Sequence, residues 1–325
     1  MHFYTENLDK DNEMNRYLRK QASDLIRSFK ETESWSVQNK KLYYGLLRNE
    51  CLRRKQKPTG CSWLIAKLAP LLRNFPIEIR GTENIPEDTT VVFVGNHSNS
   101  HDFFIIKEVF SRIKRAVTPL AAWDGLSLIS RTAFYLGNVT FIERSNKDSI
   151  ENGILKFCSK ILNGNDGFIL GEATWNLHPF LPMQKVKAGV VQTSLITGKP
   201  IIPVIIEYVE VPKFCKKEKE LYSRCVVKFG KPIFTMIEDN IFAQAENVQK
   251  FMELMRRELW IEFGIIRDNF GDLDKEIYLN HLYLKKFKAF GFKYDSEQES
   301  KFLLNKENEF IVDSMENFVP GILRE

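Results

Sequence analysis

The chain has no apolar run that approaches the roughly 20 residues needed to cross a bilayer, so a membrane-spanning helix is not expected. Cysteine is scarce: five in 325 residues, Cys51, Cys61, Cys158, Cys215 and Cys225, with no C-x-x-C. An odd number without framework spacing excludes a disulfide scaffold and points to a reducing compartment. The start, Met1 to Glu6, lacks a basic stretch followed by an apolar core, so no signal peptide is expected. These absences together predict a cytoplasmic protein, with contact to the inner face of the cell membrane as the remaining membrane role. Charge of either sign is not in large excess, since 47 Lys+Arg face 42 Asp+Glu for a net +5. That is too little for a nucleic-acid partner, though it suits an anionic membrane surface or a CoA-like ligand. No internal repeat, low-complexity tract or long linker is visible.

What remains is ordinary globular sequence, 43% hydrophobic and 27% charged, long enough for one large α/β domain with additions. Its organising stretch is Val91-Val92-Phe93-Val94-Gly95-Asn96-His97-Ser98-Asn99-Ser100-His101-Asp102. The opening run has no polar alternation, which reads as a strand buried on both faces. Gly95-Asn96 breaks it, and the Ser/Asn/Asp segment after it is helix-start composition. Two histidines and an aspartate then stand at the C-terminal end of a strand, where open α/β sheets place their chemistry. If the chain turns there, the Asp102 carboxylate folds back onto His97, fixes its tautomer and leaves the other ring nitrogen as a base. A plain helix cap explains the same residues less specifically.

Periodicity supplies the rest. Helices are predicted over Asp9–Phe29, from Ser34 or Ser36 to Arg54 (with Leu42, Tyr43, Leu46 and Leu47 as its apolar side), at 148–162, 189–197 and 239–263. Strands are predicted at 76–81, which alternates, and at 139–142, 167–171 and 201–206. Residues 224–232 read as a later edge strand with a proline-marked end. Segment 62–75 is the most apolar of the first third; Trp63, Lys67 and Arg73 suit it to a membrane headgroup region, while packing on the sheet as a core helix is the alternative. The organisation expected is a helical, membrane-docking region at 1–75, an α/β domain at 76–265 and a helical appendage at 266–325.

Asn96-His97-x-x-x-x-Asp102 resembles the N-H-x-x-x-x-D block of the glycerolipid (lysophospholipid) acyltransferase superfamily. Three further blocks follow in the family's order. Gly137 to Arg144 is similar to the second, Phe168 to Asn176 to the third, usually F-P-E-G-T-R, and Lys199 to Val204 to the fourth. The resemblance implies a three-layer α/β/α sandwich around a mostly parallel mixed sheet. It implies an O-acyltransferase in which His97, supported by Asp102, deprotonates an acceptor hydroxyl that attacks acyl-CoA or an acyl carrier protein thioester, with no metal or cofactor. Backbone donors after Asn96 are candidates for the oxyanion site. Asn96, Arg144, Gly171, Glu172, Thr174 and Trp175 are the implied substrate-binding residues.

Two departures stand out. Gly171 replaces a frequent proline and Ala173 a frequent glycine. Trp175 takes the place of the basic residue that, with the arginine of the second block, holds the acceptor's phosphate in the family. Lys185 and Lys187 are candidate replacements, and the expected acceptor widens from a lysophospholipid to include a glycolipid. A non-catalytic lipid-binding protein on the same fold is the first alternative. A zinc hydrolase using His97, His101 and Asp102 is the second.

Overall fold

A computed structural model describes residues 33, 35–54, 62–72, 75–97, 101–122, 128–143, 147–173, 183, 185–210 and 222–263. The helices expected at 9–29 and beyond 266 lie outside the described residues. Seven strands form one sheet: β1 (Ile77–Arg80), β2 (Val92–Gly95), β3 (Val117–Ala122), β4 (Thr140–Ile142), β5 (Asp166–Leu170), β6 (Ile201–Glu210) and β7 (Tyr222–Phe229). Their order is β1-β7-β6-β2-β5-β3-β4. All neighbours run parallel except β6 and β7, which are antiparallel. The expected mostly parallel mixed sheet is therefore present.

Helices cover both faces. On one side α1 (Val37–Arg53), α5 (Lys147–Leu162), α6 (Gly189–Thr197) and α7 (Ile241–Glu262) share a hydrophobic cluster with Val92, Val94, Ile201 and Ile205. On the other, α3 (Asp102–Arg112) packs Ile105, Ile106, Val109 and Phe110 against Phe93, Phe168, Ile202 and Val204. The short α2 (Ser62–Leu68) lies against α3, and α4 (Leu128–Leu136) leads into β4. Val91 to Val94 are fully buried, as a central strand without alternation requires.

The boundaries follow local chemistry. Asn240 caps α7, its side chain accepting from the backbone N–H groups of Phe242 and Ala243 at 2.9 Å each. Ala245, Val248, Met252, Met255 and Leu259 then bury one helical stripe. Two expectations are corrected. Residues 222–229 are not an edge strand: β7 lies between β1 and β6, and Cys225 and Val226 are buried. The β1 strand, 4 residues long and partly exposed, adds itself outside and takes the edge. Pro232 falls beyond β7, where its missing N–H costs no ladder bond. In α1 the buried stripe is Lys40, Tyr43, Tyr44, Leu47 and Cys51, while Leu42 faces outward. Spacing of three and four residues brings those five, and not Leu42, onto the side that faces α5 and α6.

Lys107 is a buried charge in this core. Its Nζ donates to the Val117 carbonyl at 2.9 Å and to Ser62 Oγ at 3.1 Å, joining α3 to β3 and α2. Burial, with a smaller push from the Lys160 charge, lowers its pKa from the usual 10.5 to about 7. Between those values the unfolded chain holds the extra proton, so raising the pH stabilises the fold. Relative to Lys107→Met, the wild type gains stability from pH 7 toward pH 10.5, by up to about 1.4 kcal/mol per pH unit. Urea unfolding of both proteins across that window measures the gain; parallel stability curves would sink the assignment.

Candidate active site

The site forms where β2 stops. Because β2 and β5 are parallel neighbours, with Gly95 paired to Leu170, both strands deliver their next residues to the same mouth. Gly171 donates its N–H to Gly95 O at 2.8 Å and accepts from Lys187 N at 2.9 Å. A Cβ on Gly171 would stand 2.8 Å from Val94 Cγ2, so glycine here permits close packing of β5 on β2. Ala173 follows with φ +56°, a left-handed conformation that explains why glycine suits this place and that costs alanine about 1 kcal/mol.

Asn96 is buried; its Nδ2 donates to Ile206 O at 3.0 Å and its Oδ1 accepts from Ile206 N at 2.7 Å. The amide thus imitates one more ladder pair and fixes the height of β6 against the end of β2.

His97 comes next. Its Nδ1 lies 2.7 Å from Asp102 Oδ2, with the two side chains 14% and 0% exposed. A carboxylate at that distance accepts the Nδ1 proton, leaving Nε2 as the basic nitrogen. Asp102 opens α3, where the positive end of the helix favours its charge. The backbone N–H of His97 donates to Glu172 Oε1 at 3.0 Å. Glu172, fully buried, therefore holds the histidine's own peptide.

Periodicity missed one group altogether. Tyr208, on β6, donates from Oη to Asp102 Oδ1 at 2.6 Å. The only hint in the chain was an aromatic hydroxyl closing an otherwise apolar strand run. The far side of the mouth is tied down by α7: Gln249 Oε1 accepts from Val186 N at 3.1 Å, Gln249 Nε2 donates to Met183 O at 3.2 Å, and Glu253 accepts from Met183 N. Burial pushes the Glu253 carboxyl above its usual range. This fastens the segment that carries Lys185 and Lys187, both exposed. Arg144, Thr174, Trp175 and the backbone of 98–100 lie outside the described residues.

His97 and Asp102 bond to each other directly. The His101 ring instead meets Phe75 edge-on at 6.0 Å. Among the described residues no three His, Cys, Asp or Glu side chains converge as metal ligands.

Comparison with known proteins agrees with this picture. The family described as Acyltransferase matches residues 76–207. That segment is similar to the acyltransferase domains of the glycerolipid acyltransferase superfamily. The bovine 1-acyl-sn-glycerol-3-phosphate acyltransferase alpha is 26% identical over 191 residues, 56% of this chain and 63% of its own length. The human protein of the same name is 25% identical over 191 residues, 56% of this chain and 64% of its own. The chain thus spans less than two thirds of the length of these relatives. A crystal structure of the 1-acyl-sn-glycerophosphate (LPA) acyltransferase from Thermotoga maritima aligns with a TM-score of 0.45 at 16% identity, covering 76% of this chain and 97% of that one.

Proposed function

We propose that the protein is an O-acyltransferase moving a fatty acyl group from an acyl thioester to a hydroxyl of a lysophospholipid-like or glycolipid acceptor. The observation that carries this reading is the 2.7 Å contact of His97 with Asp102 at the mouth of the sheet, inside the family-matched segment. His97 Nε2 takes the acceptor's hydroxyl proton as the oxygen attacks the thioester carbonyl carbon. Asp102 stabilises the imidazolium that forms. The tetrahedral intermediate collapses by breaking the C–S bond, and the imidazolium returns its proton to the departing thiolate. Acyl-CoA and acyl carrier protein are the donor candidates. Arg144 is assigned to the acceptor's phosphate or carboxylate, where its planar fork gives two parallel donors; Thr174 and Trp175 are assigned to acceptor binding by the resemblance of their block.

The acceptor is a lipid, and a docking surface for its membrane is part of the same proposal. Trp63 and Leu71 are 61% and 79% exposed, and Leu64 and Leu68 join them outward. Lys67 Nζ sits 5.1 Å from the Trp63 ring centroid, a basic residue beside an aromatic as headgroup contact favours. The segment is neither wholly core nor wholly outward: Ala66 and Ala69 are buried on the opposite side. Among the described residues no helix is long and apolar enough to cross a membrane. Leu71→Glu is expected to weaken sedimentation with anionic vesicles about tenfold or more, since burying one leucine contributes roughly 1.5–3 kcal/mol. Unchanged vesicle binding would remove this surface from the proposal.

The whole reading is tested with radiolabelled acyl-CoA and acyl carrier protein against a panel of lysophospholipids and glycolipids. Acylated product from any one acceptor supports it. Bound lipid without product from any donor would favour the non-catalytic alternative.

A further inference from the structure

Asp102 is gripped from two sides. One oxygen faces His97; the other receives the Tyr208 hydroxyl at 2.6 Å, a short charge-assisted bond between buried groups. The phenol is itself fixed. Its ring meets Phe75 edge-on, centroids 5.7 Å apart at 85°, and is only 7% exposed. Its strand is held by the pair of hydrogen bonds between the Asn96 amide and Ile206, two residues earlier on the same face of β6. Asn96 precedes His97 directly. The strand locked to the histidine's neighbour is therefore the strand that carries the donor to the histidine's carboxylate.

We propose that Tyr208 is a positioning residue for acyl transfer, holding the Asp102 carboxylate so that Oδ2 stays on His97 Nδ1. This rests on the reading of His97 as the general base. The torsion that turns a carboxylate about its own axis is soft and roughly two-fold. A fixed donor on each oxygen selects one orientation, and that orientation aligns the imidazole. The tyrosine touches no reacting atom; its influence passes through Asp102.

Tyr208→Phe keeps the ring and its Phe75 contact and removes only the hydroxyl. The expected result is a fall in kcat of about tenfold, the order of one lost bond to a charged group. KM for donor and acceptor stays within about twofold, because neither substrate meets the phenol. On an Asp102→Asn background the same change has no further effect, since the route it acts through is already cut. An unchanged kcat in Tyr208→Phe, with His97→Ala inactive, overturns the proposal and leaves the base assignment standing. A rise in KM, or an equal fall on both backgrounds, overturns it as well. Full turnover in His97→Ala removes the base assignment and this proposal with it.

Discussion

His97→Ala is expected to lower kcat by about a thousandfold or more, without loss of folding. The side chain lies two residues beyond the end of β2, where its removal breaks no ladder hydrogen bond. Its backbone N–H still reaches Glu172, and Asp102 still accepts from Tyr208. What disappears is the group that the proposed mechanism uses to take the acceptor's proton. General-base removal alone costs about 10²–10⁴ in rate, and proton return to the thiolate is lost with it. Asp102→Asn should fall in the same direction, because an amide cannot support the imidazolium as a carboxylate does. Single-turnover acyl transfer, with circular dichroism as the folding control, measures both. Turnover equal to wild type in both variants would end the catalytic reading.

The second large effect concerns stability at the opposite end of the strands. Asp166 begins β5 and is buried. Its carboxylate accepts from Val91 N at 2.9 Å and, in a two-pronged grip, from Arg115 Nε at 2.6 Å and NH2 at 2.8 Å. Arg115 spends its other donors on the carbonyls of Pro86 and Thr89, at 2.7 Å each. The hydrogen bond to the Asp166 carboxylate raises the guanidinium's pKa, so Arg115 stays charged throughout the working range. Asp166→Ala leaves a largely desolvated cation without its counter-charge and strips Val91 of its acceptor at the entrance to β2. The expected cost is about 3–5 kcal/mol, read from urea unfolding. Val91 and His97 are six residues apart along an extended strand, about 20 Å, so kcat per folded molecule should be unchanged. A loss below about 1 kcal/mol would show that the network carries little of the fold's stability.

The chain announced its elements well wherever the signal was local. Val91 to Val94 read as a buried strand because nothing polar interrupts them, and α7 read as a helix because its apolar residues fall every three or four. The spacing of His97 and Asp102 was enough to pair them, since a turn between a strand and a helix folds five residues back on themselves. Failures share one cause. β7 was placed at the edge because an edge or an interior position is decided by which strands flank it, and β1 comes from the other end of the domain. Leu42 was put inside because two adjacent stripes of α1 are both apolar, and only the neighbouring helices choose between them.

The same division runs through the site. Composition, periodicity and block order by themselves determined the α/β class, the turn at the end of β2, and the pairing of His97 with Asp102. Only tertiary structure decided that Asn96 and Glu172 serve backbone, that Gly171 serves packing, and that Tyr208 serves Asp102. Each of those contacts joins residues 75 to 110 positions apart. Partners at such separation are set by the order of strands in the sheet, which no local period encodes.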